Sequence, residues 1–300
     1  MSYRIVFAGT GIIGAGLAVN AVLSGNEVRI FDVLDKESVL KNIQSVIETM
    51  IRAGAVEKDK AFEKLERVHV FSDLQEALAN GADMIQECVP EQTELKKQTY
   101  RIIQEMLGND TIICSSTSAI MPSVLAEDAL YPENILVGHP YNPSYLLPLI
   151  EICGPHASPD AISKAVSVYK AMGKIPIICR KESKGFIANN MSWQVFYAAA
   201  ECVKNGLCSV EEADKALMYG PGLRMAVLGQ LLTLSLGTPG GFPEYPKKYG
   251  LPNDPIYDLL GQGISDEIAN RSQEQGQTVE DVIAYRDKMF VQILKMQGIL

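Results

Sequence analysis

The chain has 300 residues, of which 47% are hydrophobic and 21% are charged. Such a composition excludes an intrinsically disordered chain, and the length is sufficient for two globular domains. The net charge of −9 argues against nucleic acid as a partner, because phosphate binding needs a concentrated basic face.

Neither a membrane segment nor a leader sequence is expected. A strand-like run begins at Tyr3, which leaves no room for a signal peptide, and no apolar run approaches the roughly 20 residues that span a bilayer. The six cysteines form no CxxC pair and fall mostly in apolar runs, which favours reduced, buried thiols in a cytoplasmic protein. The three histidines are far apart and lack ligand spacing, so no metal site is predicted.

Up to about residue 180, short apolar runs alternate with longer amphipathic ones. Helix-length segments lie at 12–24, 37–53 and 93–107. This alternation predicts parallel strands joined by crossover helices, which is a doubly wound α/β sheet of the Rossmann type. The last strands lack long helices between them, which favours hairpin or mixed pairing there. The eight predicted strands are 3–8, 27–31, 68–71, 84–87, 111–114, 135–138, 147–152 and 175–179.

The pattern changes after Cys179. A polar bridge at 181–184 is followed by helical periodicity without strand-like runs. Residues 238–256 are rich in proline, glycine and aromatic residues, which predicts a loop. We therefore expect a cofactor-binding domain at 1–183 and an all-helical domain at 184–300. The predicted helices of that second domain are 186–204, 210–218, 225–236 and 279–296.

The first strand leads through a GxGxxG motif into the first helix. Gly9 permits the tight turn, Gly11 lets the backbone approach a pyrophosphate, and Gly14 lets the helix pack closely on the strand. The helix N-terminus at Ile12 and Ile13 supplies N–H donors to the phosphates. The motif lies between the required elements, which favours a dinucleotide site over three glycines of an unrelated turn.

Asp32 ends the second predicted strand, 18 residues after Gly14. A carboxylate at this position accepts hydrogen bonds from both ribose hydroxyls of NAD and repels a 2′-phosphate. No arginine follows Asp32 closely, which disfavours NADP. NAD is therefore the predicted cofactor.

An oxidised hydroxyl group loses a proton that a base must collect, and histidine suits this task at neutral pH. His69 lies within a strand-like run, and His156 lies in a polar turn. His139 ends an apolar strand, where open α/β sheets carry their chemistry, and Glu151 follows 12 residues later in the next strand. Two neighbouring strands can bring these side chains together. From the residues alone, His139 is either such a base or an ordinary core histidine.

Three segments together resemble the L-3-hydroxyacyl-CoA dehydrogenase family. They are the HPYNP segment that begins at His139, with Glu151 after it, the SSTS segment that ends at Ser118, and the GFIAN segment that ends at Asn189. The resemblance covers nearly the whole chain, in order and with matching spacing. It implies that His139 is the general base and that Glu151 orients and supports it. It also implies that Ser118 and Asn189 bind the reacting oxygen or position nicotinamide and substrate.

The same resemblance implies that Glu91, Lys96 and Asn142 contact the cofactor, and that the chain forms a homodimer through its helical domain. The residue-level interpretation agrees, since a histidine with a carboxylate is a base with its orienter. The competing interpretation makes Ser118 a nucleophile. Nothing around Ser118 is typical of a nucleophile elbow, which argues against that interpretation.

Several segments differ from the acyl-CoA enzymes of this family, whose HFFNP segment is replaced here by HPYNP at 139–143. The segments 85–91, 118–122 and 145–151 together are more similar to another branch. The branch contains L-gulonate 3-dehydrogenase (lambda-crystallin) and L-carnitine dehydrogenase, whose substrates are small polar 3-hydroxy acids. A Gly-x-Arg element that ends at Arg224 also resembles this branch. Arg224 is predicted either to pair with a free substrate carboxylate or to form a structural salt bridge.

The charge of residues 36–66 bears on the alternative substrate, a CoA thioester. The phosphates of CoA favour a basic surface, but this stretch carries six basic and six acidic side chains, which weakens the thioester hypothesis.

A catalytically silent NAD-binding structural protein is another class, and the intact set of Ser118, His139, Glu151 and Asn189 argues against it. A redox-sensing NAD(H) binder is a third class, and the sequence shows no extra partner-binding segment.

Overall fold

The computed structural model describes residues 2–300. The chain forms two compact units, which meet in sequence between Gln194 and Val195. Among residues 2–300, none of the helices combines the length and the apolar character that a membrane span requires.

The first unit contains one eight-stranded sheet. Its strands are β1 (Arg4–Ala8), β2 (Glu27–Phe31), β3 (Val68–Phe71), β4 (Met84–Glu87), β5 (Ile112–Ser115), β6 (Ile135–Pro140), β7 (Leu149–Cys153) and β8 (Ile175–Cys179). Its helices are α1 (Ile12–Leu23), α2 (Lys36–Arg52), α3 (Lys58–Lys64), α4 (Leu74–Leu78), α5 (Thr93–Leu107), α6 (Pro122–Ala126) and α7 (Pro159–Ala171). The next helix, α8 (Ala188–Lys204), begins in this unit and continues into the second.

The strand order across the sheet is β3-β2-β1-β4-β5-β6-β7-β8. The first six strands are mutually parallel, β7 runs antiparallel to β6, and β8 is parallel to β7. The predicted doubly wound sheet is confirmed, and so is the mixed pairing of its last strands. Parallel strands bring their carboxyl ends to one edge, so the segments after β1, β2, β4, β5 and β6 meet there.

Hydrophobic side chains of the central strands alternate between two buried clusters. Ile5 and Phe7 of β1 face the cluster that includes α1, α2 and α7, whereas Val6 between them faces the cluster that includes α5. Successive side chains of a strand point to opposite faces, so helices on both faces bury nearly all of β1. The scaffold beneath the carboxyl edge is therefore packed on both sides.

The prediction that no long helix separates the last strands is wrong for β7 and β8, which α7 joins. Pro159 is the first residue of α7, and the Ser158 side chain caps it by accepting a hydrogen bond from the N–H of Ala161. The buried face of α7 is formed by Ala161, Ala165, Val168 and Tyr169. Small alanines make this helical stripe weakly hydrophobic, and the sequence interpretation passed over it for that reason.

The second unit is helical throughout, as predicted. After α8 it contains α9 (Val210–Leu217), α10 (Leu223–Leu228), α11 (Gln230–Leu236), α12 (Tyr245–Tyr249), α13 (Ile256–Ala269) and α14 (Val279–Met296). The prediction of a single helix at 225–236 is wrong, because Gly229 at φ +75° divides this stretch into α10 and α11. A left-handed residue cannot continue a right-handed helix.

The loop predicted at 238–256 is also wrong in part. It contains a 3-10 turn at Phe242–Glu244 and then α12. Phe242 is buried in the core of the second unit, with Tyr245 packed beside it, and this packing stabilises short helices in a stretch rich in glycine and proline. The sequence interpretation also missed α13, in which Ile264 and Ile268 pack against the same core.

Candidate active site

The glycine loop after β1 is shaped by close backbone contacts. Gly9 has φ +100°, and a Cβ there would lie 2.6 Å from the carbonyl oxygen of Cys88. A Cβ on Gly14 would lie 2.2 Å from the carbonyl oxygen of Gly9, so neither position accepts a side chain. These contacts are the structural requirement for glycine that the motif predicted.

Gly11 differs, because a Cβ there would meet nothing within 4 Å. It precedes α1, whose first turn has no side-chain cap, so the N–H groups of Ile12 and Ile13 have no partner within the helix. The loop borders a cavity of about 630 Å³ that is also lined by Asp32 and by apolar side chains such as Ile102. Space beside Gly11 and free N–H donors fit a pyrophosphate, and the apolar walls fit a nucleoside.

Asp32 follows β2 and is only 7% exposed. Its Oδ2 accepts hydrogen bonds from the N–H of Thr10 at 2.6 Å and from the Thr10 hydroxyl at 2.5 Å. Its Oδ1 accepts one from the N–H of Leu34 at 3.0 Å. The sequence interpretation named Asp32 but missed Thr10, the variable residue between the first two glycines of the motif.

Beyond β4, a buried lysine joins two carboxylates. Lys96 is 1% exposed, and its Nζ lies 2.7 Å from Glu87 Oε1, 3.2 Å from Glu91 Oε2 and 3.2 Å from the carbonyl oxygen of Val89. Glu87 and the Val89 carbonyl accept hydrogen bonds from the ammonium, and Glu91 pairs with it as a second carboxylate. Lys96 therefore holds Glu91, whose side chain is 44% exposed, at the carboxyl edge of the sheet.

Glu87 is the centre of this network, and the sequence interpretation missed it. Its second oxygen accepts hydrogen bonds from Tyr100 at 2.5 Å and from Ser115 at 2.7 Å. Burial and the Glu87 charge hold the pKa of the Tyr100 phenol well above its usual value, so the phenol stays a donor. The sequence signal that could have identified Glu87 is its position as a charged residue at the end of an apolar strand.

The loop after β5 is attached to the same network. Thr117 Oγ1 donates a hydrogen bond to Glu91 and accepts one from the N–H of Ile120 at 2.9 Å. Ser118 lies between these bonded residues with its side chain exposed. The loop that presents Ser118 and the carboxylate of Glu91 are thus held together.

His139 and Glu151 are directly opposite each other on β6 and β7. The His139 Nδ1 lies 2.8 Å from Glu151 Oε2, and both side chains are buried. His69 and His156 are exposed on β3 and in a turn, respectively. The fold therefore brings His139 and Glu151 together as predicted. Of the three histidines, His139 has a buried carboxylate partner.

The other oxygen of Glu151 is also bound. Its Oε1 accepts hydrogen bonds from the N–H groups of Ile187 at 2.8 Å and Ala188 at 2.9 Å, where α8 begins. Burial raises the pKa of Glu151, but the bonds from His139 and these two N–H groups outweigh it, so the pKa lies below its ordinary value. Glu151 is therefore ionised at neutral pH and accepts a proton-bearing Nδ1, which leaves His139 Nε2 as the free acceptor.

Phe186 covers the histidine on one side. Its ring centroid lies 5.3 Å from that of His139, and its backbone adopts φ +51°. Left-handed backbone is uncommon for a bulky residue and is typical of functional sites. This turn directs the next two N–H groups toward Glu151, an arrangement that the GFIAN motif did not by itself reveal.

The remaining predicted residues are found in three places. Asn142 is exposed in the loop after β6, and Asn189 is partly exposed in the first turn of α8. Arg224 is exposed on α10 in the second unit, and it forms no ion pair with any carboxylate of residues 2–300. Within the same residues, no group of three or more histidine, cysteine, aspartate or glutamate side chains is arranged to hold a metal ion.

Comparisons with known proteins place the whole chain in one family. Residues 4–183 match the NAD binding domain of 3-hydroxyacyl-CoA dehydrogenase, and residues 185–297 match its C-terminal domain. The chain is 31% identical to an L-carnitine dehydrogenase from Bacillus cereus, over 98% of this chain and 92% of that protein. It is 32% identical to an L-carnitine dehydrogenase from Pseudomonas putida, over 96% of this chain and 91% of that protein.

A solved structure shares the fold. A 3-hydroxyacyl-CoA dehydrogenase from Archaeoglobus fulgidus superimposes with a TM-score of 0.71 and 20% sequence identity, over 99% of this chain and 100% of that chain. At this identity the likeness concerns the fold alone. The two domain matches and the identity to the L-carnitine dehydrogenases show that the chain belongs to the 3-hydroxyacyl-CoA dehydrogenase family and is an NAD-dependent oxidoreductase that acts on a CH–OH group.

Proposed function

We propose that this protein oxidises the 3-hydroxyl group of a small, polar, free 3-hydroxy acid, with L-carnitine as the first candidate and L-gulonate as the second. The observation that carries the proposal is the buried pair of His139 and Glu151, with Nε2 of the histidine free at the carboxyl edge of the sheet. The identity to two L-carnitine dehydrogenases supports the choice of substrate.

In this mechanism NAD, held by the glycine loop and Asp32, would supply the hydride acceptor for the carbinol carbon. His139 Nε2 collects the hydroxyl proton, and the positive charge that develops on the ring is stabilised by the ionised Glu151. The N–H groups of Ile187 and Ala188 hold Glu151 in place, so the ring keeps its tautomer and its orientation. Such positioned proton transfer contributes roughly 10²- to 10⁴-fold in rate.

The other site residues have assigned roles in the proposal. Ser118 and Asn189 hydrogen-bond the reacting oxygen and position the substrate against the nicotinamide. Asn142 and Glu91 contact the cofactor, and Lys96 acts by holding Glu91 in place, because Lys96 is itself 1% exposed. The exposed side chains of Ser118 and Asn142 are available for these contacts.

For the substrate, the proposal is that Arg224 binds a free carboxylate. Its guanidinium is exposed and lacks a carboxylate partner among residues 2–300, so its planar donors are available for a bidentate pair. The balanced charge of residues 36–66 gives no concentrated basic surface for the phosphates of CoA. Both features favour a free acid over a thioester.

We further propose a cytoplasmic homodimer with residues 1–183 binding the cofactor and 184–300 forming the substrate and dimerisation domain. Helix α8 exposes large apolar side chains, and exposed apolar patches mark interaction sites. These side chains are Met191, Trp193, Phe196 and Tyr197. Light scattering coupled to size-exclusion chromatography tests the dimer, and a monomer at micromolar concentration would contradict it.

The test of the substrate is a panel assay that follows NADH formation. The panel contains L-carnitine, L-gulonate, free 3-hydroxybutyrate and 3-hydroxybutyryl-CoA at matched concentrations. Activity on a free acid supports the proposal. Efficient oxidation of 3-hydroxybutyryl-CoA without activity on the three free acids would reject the substrate class, while leaving the roles of His139 and Glu151 unchanged. No activity on any of the four, with NADH binding intact, would favour a silent NAD-binding protein.

A further inference from the structure

Thr10 lies between the first two glycines of the nucleotide loop and is 1% exposed. Its backbone N–H and its hydroxyl both donate to the same oxygen of Asp32, Oδ2, at 2.6 and 2.5 Å. Two donors from one residue on one carboxylate oxygen constrain both the position and the rotation of that carboxylate. Nothing in the GxGxxG motif requires a hydroxyl at this position, since the residue between the two glycines is variable.

The hydrogen bonds to the Asp32 carboxylate leave it one lone-pair site for a ligand. An ionised carboxylate offers about four lone-pair sites. Thr10 uses two of them on Oδ2, and the N–H of Leu34 uses one on Oδ1. One site remains, on Oδ1, and Asp32 borders the cavity beside the glycine loop. The carboxylate is therefore prepared for a single hydroxyl donor, rather than for the two ribose hydroxyls that the sequence predicted.

Thr10 is itself held from the opposite side. The side-chain amide of Asn42, on α2, donates a hydrogen bond to the Thr10 carbonyl oxygen at 3.3 Å, and Asn42 borders the same cavity. The loop after β1, the end of β2 and α2 are thus joined through Thr10. Rotation of the carboxylate away from a bound anion would break two bonds to this fixed residue.

We infer that Thr10 is a specificity-determining residue, which holds Asp32 rigidly so that the carboxylate accepts the ribose 2′-hydroxyl of NAD and cannot turn away from the 2′-phosphate of NADP. The inference rests on the proposed role of Asp32 in cofactor choice. Repulsion between two anions falls as they separate, so a carboxylate that can rotate tolerates a phosphate better than one that cannot. Charge-assisted bonds such as those from Thr10 are also the stronger class of hydrogen bond.

The experiment compares Thr10→Val, Thr10→Ala and Thr10→Ser, with the affinities for NADH and NADPH measured by fluorescence titration. This readout needs no substrate. Thr10→Val and Thr10→Ala are expected to lower the preference for NADH over NADPH by about tenfold, because the hydroxyl bond to Asp32 is lost. Thr10→Ser keeps the hydroxyl and is expected to retain the preference of the unmodified protein. Thr233→Val is the matched control, because it removes a buried threonine hydroxyl that donates to the carbonyl oxygen of Gly229 in the second unit.

The results of this experiment distinguish the role of Thr10 from the role of Asp32 in cofactor choice. If Thr10→Val and Thr10→Ala both keep the preference while Asp32→Ala abolishes it, the inference is overturned and the role of Asp32 stands. If Asp32→Ala also leaves the preference unchanged, both are overturned. Should Thr10→Val fail to fold, the comparison of Thr10→Ala with Thr10→Ser decides in the same way, since these two differ by the hydroxyl alone.

Discussion

His139 Nδ1 lies 2.8 Å from Glu151 Oε2, across the one antiparallel pairing of the eight-stranded sheet. Direct opposition on neighbouring strands fixes the separation of the two side chains through the backbone. Because β7 runs antiparallel to β6, Glu151 in the middle of β7 lies beside His139 near the carboxyl end of β6. The contact leaves one ring nitrogen for chemistry.

Replacing His139 with asparagine should lower turnover by roughly 10²- to 10⁴-fold, because the proton acceptor is lost. NADH binding, followed by fluorescence, should be retained, since the glycine loop is untouched. His156→Asn is the control, because it alters an exposed histidine in a turn. Near-normal turnover in His139→Asn would place the base elsewhere.

Replacing Glu151 with glutamine should reduce turnover by roughly tenfold or more, because a neutral amide supports the developing imidazolium poorly. The amide can still accept hydrogen bonds from the N–H groups of Ile187 and Ala188, so the fold should be retained. Steady-state kinetics with the best substrate of the panel, alongside circular dichroism, measures both effects. Unchanged turnover would contradict the supporting role of Glu151.

The same variant should reveal a pH-dependent contribution to stability. The pKa of Glu151 is lower in the folded protein than its ordinary value of 4.5, so the folded state favours the ionised form. The resulting stabilisation is present above pH 4.5 and is lost as the pH falls through the folded-state pKa. The difference in melting temperature between the unmodified protein and Glu151→Gln should therefore become smaller as the pH falls from 4.5 through the folded-state pKa. A difference that stays constant down to the onset of acid unfolding would show that the carboxylate charge contributes nothing.

Asp32 should determine cofactor choice. We expect a preference for NAD over NADP of at least about tenfold, which corresponds to roughly 1.4 kcal/mol, from anion repulsion and the lost ribose hydrogen bond. Asp32→Ala should narrow this preference, whereas the exposed Asp110→Ala should not. The ratio of kcat/KM for the two cofactors measures it, and equal use of both by the unmodified protein would refute the assignment.

Arg224 should govern the affinity for a free carboxylate. Arg224→Met is expected to raise KM by roughly 10- to 100-fold, since a charge-assisted pair contributes about 1.5–3 kcal/mol. The effect should be much smaller on the corresponding amide, which lacks the charge. Lys215→Met removes an exposed positive charge elsewhere in the same unit and serves as the control. A similar rise in KM for acid and amide would assign Arg224 a structural role.

The amino-acid sequence by itself determined the eight strands, the nucleotide loop and the pairing of His139 with Glu151. These features depend on local patterns: apolar runs of strand length, glycines at fixed spacing, and two polar residues near the ends of successive apolar strands. Helix α7 lacked a comparable pattern because alanines form much of its buried face, and α13 was missed although isoleucine and leucine recur along it. Packing against the sheet or the second core stabilises them, and such contacts are not visible in a short window of sequence.

Only the tertiary structure decided how the site is held. Glu151 is bound by the N–H groups of Ile187 and Ala188, which lie 36 and 37 residues further along the chain, and every residue other than proline carries such a group. Glu87 and Thr10 likewise acquire their roles from partners that the fold brings to the carboxyl edge. Hydrogen bonds of this kind depend on the direction of a donor in space, and that direction is set by packing and strand order rather than by residue type.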